Sequence, residues 1–221
     1  MPQRSPVLKM RVKGMFACFS RPELKVERVS YAVPTPSAVN GIYSAILWKP
    51  AIRWHVQKIH VCKPINFVSF RRNEVSKVAS APSEKIIKSG GSAPLYFADE
   101  DRAQRNTVAL YDVDYVFESF FSLTKEAGED DNVPKFIDMF SRRLEKGQCF
   151  TTPYLGCREF SAEFSPAEES IIPINDNRNL GLMLWGISFA PSGNKAHFFK
   201  AKLENGTLYI PEQPEKERVS S

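Results

Sequence analysis

The chain has 221 residues, 43% of them apolar and 25% charged, with a formal net charge of +5. That length holds a full hydrophobic core, and the composition excludes disordered, collagenous and disulfide-scaffold classes. No apolar run reaches the roughly 18 residues of a membrane span, and no signal-peptide pattern is present. The expectation is a cytoplasmic protein with no membrane partner. Cys18, Cys62, Cys149 and Cys157 form no CxxC pair, so reduced thiols are expected, and no metal or cofactor.

Charge is unevenly spread. Met1 to Gly90 holds 16 Lys and Arg against 4 Asp and Glu, and the rest holds 14 against 21. A basic half of this kind suits a polyanionic partner.

In chain order, Val7 to Phe19 reads as a first strand, Leu8, Met10 and Val12 alternating with Lys9, Arg11 and Lys13. Ser20 to Val29 reads as a polar loop. Val33-Pro-Thr-Pro36 stops the chain, and Thr35 or Ser37 caps a helix from Ser37 to Lys49. Lys49-Pro50 ends it. Ile52 to Val61 alternates as a half-buried strand, and Ile65 to Phe70 as a shorter one. Residues 75–100 are rich in Ser, Ala, Lys, Gly and Pro, which predicts a basic, flexible hairpin or insertion.

Thr107 to Leu123 is a further strand with an irregularity near Asp112. Asp131 or Asn132 caps a helix from about Pro134 to Lys146, ended by Gly147. Its face carries Phe136, Met139, Phe140 and Leu144. Cys157 to Phe164 reads as a strand. Short strands follow between Ile171 and Tyr209, with Asn205-Gly206 as a hairpin turn. Pro211 to Ser221 reads as a disordered tail.

This order predicts an α+β fold, a ferredoxin-like (RNA-recognition-type) antiparallel sheet with helices on one face. Residues 1–165 would form it. Residues 166–221 would add a small C-terminal antiparallel β domain with its tail.

No GxGxxG, Walker, HExxH or GxSxG motif occurs. What remains is basic: Arg21, Lys25, Arg28, Arg71, Arg72, Arg102 and Arg105, interleaved with Phe19, Tyr31 and Phe70. Arg142 and Arg143 load the last turn of the second helix, and Arg158 follows it. Guanidinium forks bind phosphate and aromatic rings stack on unpaired bases, so these are the candidate RNA contacts.

The blocks KVERVSYAVPTPSAVNGI, WKPAIRW, FRRNEV, LGCREF and HFFKA resemble the fifth Cas family of CRISPR–Cas systems, in its subtype I-C variant. The resemblance covers about Met10 to Ile210. It implies a RAMP-type fold and a subunit of the RNA-guided surveillance complex, Cascade. Such a subunit holds the 5′ handle of the CRISPR RNA, derived from its repeat, and contacts the backbone and large subunits. Target DNA is met only indirectly. It also implies metal-independent cleavage of precursor RNA, in which a base activates a ribose 2′-OH and an acid protonates the leaving oxygen.

The family places a Tyr or His just before the Trp-Lys-Pro break, and a Lys-His pair at the start of the second helix. Here those positions hold Leu47 and Lys135-Phe136. Leucine and phenylalanine transfer no protons, and a lysine with an ordinary pKa of about 10.4 is a poor base near neutrality. Lys135 and Tyr43, one helical turn from Leu47, are the remaining catalytic candidates. Two functions stay open: an RNA-handle-binding subunit without cleavage, or an active endoribonuclease. A general single-stranded-RNA-binding protein is a third.

Overall fold

The structure, a computed structural model, describes residues 3–24, 26–76, 81–91, 97, 101–190 and 193–213. Its elements are β1 (Leu8–Ala17), β2 (Arg28–Val29), α1 (Pro36–Ile46), β3 (Ile52–Val61), β4 (Asn66–Val75) and α2 (Glu84–Ser89). Then come β5 (Arg102–Leu123), α3 (Val133–Glu145), β6 (Glu163–Pro166), β7 (Asn179–Ala190), β8 (Gly193–Glu204) and β9 (Thr207–Tyr209).

β5 organises the sheet. Its 22 residues are too long for one neighbour, and each edge takes two strands. β1 lies along Leu110 to Ser119 and β2 along Thr107 and Val108. On the opposite edge β3 lies along Tyr115 to Leu123, and β4 along Arg102 to Tyr111. The full order is β6-β1-β5-β3-β9-β8-β7, with β2 and β4 also on β5. All pairings are antiparallel except β2 with β5. The fold is thus α+β, a mostly antiparallel sheet with few helices. The C-terminal strands join this sheet through β9, where Leu208 pairs with Ile59.

Alternation assigns the two faces. Met10, Val12, Tyr115, Phe117, Ile59 and Val61 are buried on one, in a core shared with Ile42, Tyr43 and Ile46 of α1 and Phe136, Phe140 and Leu144 of α3. On the other, cations sit over buried carboxylates. Lys58 and Lys9 lie 2.9 and 3.5 Å from Glu118, and Arg11 lies 2.9 Å from Asp114.

Several expectations change. α1 stops at Ile46 instead of Lys49, because Leu47 turns extended and buries its side chain. Cys157 to Ala162 is not strand: Gly156 enters the left-handed region (φ 84°) and a turn closes from Phe160 N to Cys157 O, so β6 begins at Glu163. Within 75–100 a six-residue helix forms, because Ser83 caps it and Gly90 ends it left-handed; residues 77–80, 92–96 and 98–100 lie outside the described residues. β4 and β5 outrun their apolar patterns because each supplies the other's ladder from Asn66–Tyr111 to Val75–Arg102. The expected irregularity is real, with Asp112 at φ 52°. So is the Asn205-Gly206 turn, with φ of 47° and 72°. Among the described residues no helix is long and apolar enough to cross a membrane.

Candidate nucleic-acid interface

Two neighbouring features carry the candidate residues: the turn that ends α1, and the end of β1 where β2, β4 and the loop after α3 meet.

α1 starts conventionally, Thr35 Oγ1 accepting from Ala38 N at 3.3 Å. Its last carbonyls have no helical donors. Tertiary contacts supply them. Ala45 O accepts from Phe150 N and Thr151 N at 2.8 and 3.2 Å. Ile46 O accepts from Arg143 at 2.6 Å, and Leu47 O from Trp54 Nε1 at 2.9 Å. One nitrogen of the half-buried Arg143 is therefore engaged in closing the helix. Leu47 faces inward, and Trp48, Lys49 and Pro50 are exposed.

Tyr43 does not reach this surface. It is fully buried, stacked 5.5 Å from Phe140, and its hydroxyl donates to Leu8 O and Phe117 O, each at 3.0 Å. Burial raises its pKa well above the ordinary tyrosine range. A hydroxyl so held touches no phosphate, and Tyr43 is a core residue.

Asn132 caps α3 by accepting from Lys135 N at 3.0 Å. The Lys135 ammonium donates to Asp131 at 2.9 Å, and Phe136 beside it is buried. Lys135, the Gly128 amide and Lys49 all lower the Asp131 carboxyl. Lys49 and Lys135 thus share one electrostatic neighbourhood, although they arise from different elements. A cleft of about 960 Å³ lies beside Lys49, lined also by Asn40, Ser44, Trp48, Arg53, Ser122 and Lys125. Ser122 receives or gives a hydrogen bond with His55 Nε2 at 2.8 Å. Burial, with Arg4 and Arg53, lowers the His55 pKa, so this imidazole is neutral at pH 7.

The second feature gathers part of the predicted basic set and neutralises it. Glu159 pairs with Arg28 at 2.8 Å and also with Arg72. Glu74 lies 3.3 Å from Arg28 and 2.9 Å from Arg72. Arg105 stands directly opposite Arg72 in the ladder and is half-buried. Arg71 falls on the other side of the strand and is exposed, as are Arg102, Arg142 and Arg158. Arg21 is not an ion-pair partner of Glu74 or Glu159: its guanidinium lies over the Tyr31 ring at 4.7 Å and 3.6 Å from Glu23. Lys25 is outside the described residues. Phe19 and Tyr31 are buried, and Phe70 packs against Phe16 and Phe160, so these rings build the platform rather than offer faces.

The loop carrying Arg158 and Glu159 is pinned at Gly156. A Cβ there would lie 2.1 Å from Cys18 O. Cys18 N donates to Leu155 O at 3.0 Å, and Cys157 Sγ to Cys18 O at 3.5 Å. The Cys18 thiol lowers the Cys157 pKa, with help from Ser20 and Arg28 and against burial.

Sequence reasoning missed Arg53, Lys125, Phe150 and Tyr154, because no motif links them and only the fold brings them beside Trp48. The signal for Trp48 and Lys49 was present in the Trp-Lys-Pro break.

Residues 7–211 match the family model described as CRISPR-associated protein (Cas_Cas5), of the Cas5d type. A Mannheimia succiniciproducens protein named CRISPR pre-crRNA endoribonuclease Cas5d is 46% identical over 213 residues, covering 92% of this chain and 94% of that one. A Thermus thermophilus protein of the same name is 38% identical over 228 residues, covering 95% and 93%. A solved structure described as a CRISPR-associated protein superposes with a TM-score of 0.72 at 24% identity, covering 98% and 97% of the two chains. With its matched span running nearly end to end, the chain belongs to the Cas5d family of CRISPR-associated proteins.

Proposed function

We propose that this chain is the RNA-binding subunit of a type I-C surveillance complex, holding the 5′ handle of the CRISPR RNA without cutting its precursor. The backbone and large subunits are its protein partners in this reading, and target DNA is reached through them. The strand order β6-β1-β5-β3 with α1 and α3 on one face supports a ferredoxin-like unit over residues 1–165. Within residues 166–221, β7, β8 and β9 make the smaller β unit.

One observation carries the absence of cleavage. Leu47, Tyr43 and Phe136 are all buried where proton-transfer groups would have to meet RNA. Lys49 and Lys135 remain as phosphate-binding cations. General acid–base catalysis is worth about 10²–10⁴-fold, so its loss leaves binding and little turnover.

The second reading is metal-independent cleavage. It draws on the relatives' name and on His55, a neutral imidazole one hydrogen bond from the basic cleft. Incubating the purified protein with labelled repeat RNA in EDTA separates the two. Tight, salt-sensitive binding without specific cleavage is expected. Specific cleavage that disappears in Lys135→Ala or His55→Gln overturns the binding reading. RNA bound without preference for the repeat hairpin over a scrambled sequence removes the handle-binding role.

Phosphate contact by the β4–β5 arm is tested separately. Arg71→Ala is expected to weaken binding and flatten the slope of log affinity against log salt by about 1. The melting temperature should not move, because Arg71 is exposed. An unchanged slope removes Arg71 from the interface.

A further inference from the structure

A second cleft adjoins the basic one. It has a volume of about 520 Å³ and lies between the outer face of α1 and the loop after α3. Ser37, Gly41, Ser44 and Trp48 line its helix side, and Phe150, Thr151 and Tyr154 its loop side. Three large rings stand in water around it: Trp48 is 59% exposed, Phe150 73% and Tyr154 41%. Large apolar groups clustered at the surface mark an interaction site.

The helical stripe along the cleft is made of small residues, Ser37, Ala38, Gly41 and Ser44. A Cβ on Gly41 would meet nothing within 4 Å. The loop backbone is anchored to the helix, since both Phe150 N and Thr151 N bond to Ala45 O. A wall whose backbone is anchored beforehand costs less ordering on binding. Hydroxyls of Ser37, Ser44 and Thr151 supply donors and acceptors around the rings.

Trp48 and Ser44 also line the basic cleft, where Lys49, Arg53 and Lys125 face one carboxylate, Glu126. Asn40 lines that cleft too, and its Oδ1 is buried without a hydrogen-bond partner. Two clefts sharing one indole thus offer a stacking slot and a cationic slot side by side. A nucleotide has the same two parts, a planar ring and an anionic phosphate. An apolar protein segment would use the rings and leave unanswered the cleft's excess of positive charge, three cations against Glu126.

We propose that the aromatic cleft takes one unpaired nucleobase of the bound RNA, stacked on Trp48, with its phosphate in the adjoining basic cleft. This rests on the RNA-binding reading above. It adds a base-recognition site beside α1, formed by residues other than those of the β4–β5 arm.

The probe is a fluorescein-labelled repeat hairpin RNA with unpaired nucleotides on both sides of the stem. In a series, each unpaired nucleotide in turn is made abasic. Binding to the wild-type chain should fall about tenfold at one position, the scale of a lost base–aromatic stack. Trp48→Ala should bind the intact RNA about tenfold more weakly and be indifferent to that abasic site. Its melting temperature should match the wild type. If Trp48→Ala binds the intact RNA as tightly as the wild type, the cleft holds no base and belongs to another partner. If the variant is weaker but no single abasic site matters, Trp48 acts without stacking, and the proposal also falls. If the wild-type chain binds no RNA, the reading beneath it fails first, which is a distinguishable result.

Discussion

Gly156→Ala is expected to lower the melting temperature by about 6–12 °C. The left-handed backbone alone costs a side chain about 1–2 kcal/mol. The steric term is larger, because the new Cβ would sit 2.1 Å from Cys18 O and 2.6 Å from Cys18 C. Backbone on backbone has no flexible end to swing aside. The loop must lift, which breaks the bond from Cys18 N to Leu155 O and withdraws Glu159 from Arg28 and Arg72. A total of about 3 kcal/mol is the scale of such a backbone conflict. For a chain of this size each kcal/mol shifts the midpoint by about 2–4 °C. A midpoint within roughly a degree of wild type would show that the loop does not rest on the end of β1.

Trp54→Ala is expected to cost about 3–5 kcal/mol, the range for truncating a buried aromatic side chain. Its indole lies 4.7 Å from Tyr43, 5.1 Å from Phe140 and 5.3 Å from Phe121, joining α1, α3 and β5 in one packing unit. The same ring donates to Leu47 O. The variant therefore loses packing and also leaves a carbonyl at the end of α1 without its donor. Urea denaturation followed by circular dichroism measures the loss. Because that carbonyl belongs to the turn presenting Trp48, RNA affinity should fall as well, even at temperatures where the variant is folded. A folded variant with unchanged affinity would separate the turn from RNA binding.

The two outcomes bear on what could be read from the chain alone. Period-two alternation placed Ile52 to Val61 at its observed bounds, and Asn132 with Gly147 bracketed α3 closely. Those signals are local: side-chain direction, a cap, a stop. The end of α1 was misplaced because its stop is tertiary. Pro50 permits helix up to Lys49, but Phe150, Arg143 and Trp54 claim the carbonyls of residues 45–47 first. The same reason misled the reading of Tyr43. Helical spacing put it one turn from Leu47, which is correct, but spacing does not say which side of the helix the sheet covers. Glu159 likewise gave no sign that it would neutralise Arg28 and Arg72, residues more than 80 positions away.

The length of β5 has a consequence for how the chain is made. β1 and β3 lie on either side of α1 in the sequence, yet they do not pair with each other. Leu8 pairs with Ser119 and Ile52 with Leu123, so both strands wait for β5. Among the described residues before Arg102, β1 to β4 are strands with open edges and α1 is a helix with no sheet to cover. Pairings this distant close slowly, and open edges invite neighbouring chains. On the ribosome β1 to β4 thus find their partner only when β5 emerges, and β6 to β9 extend the sheet after it.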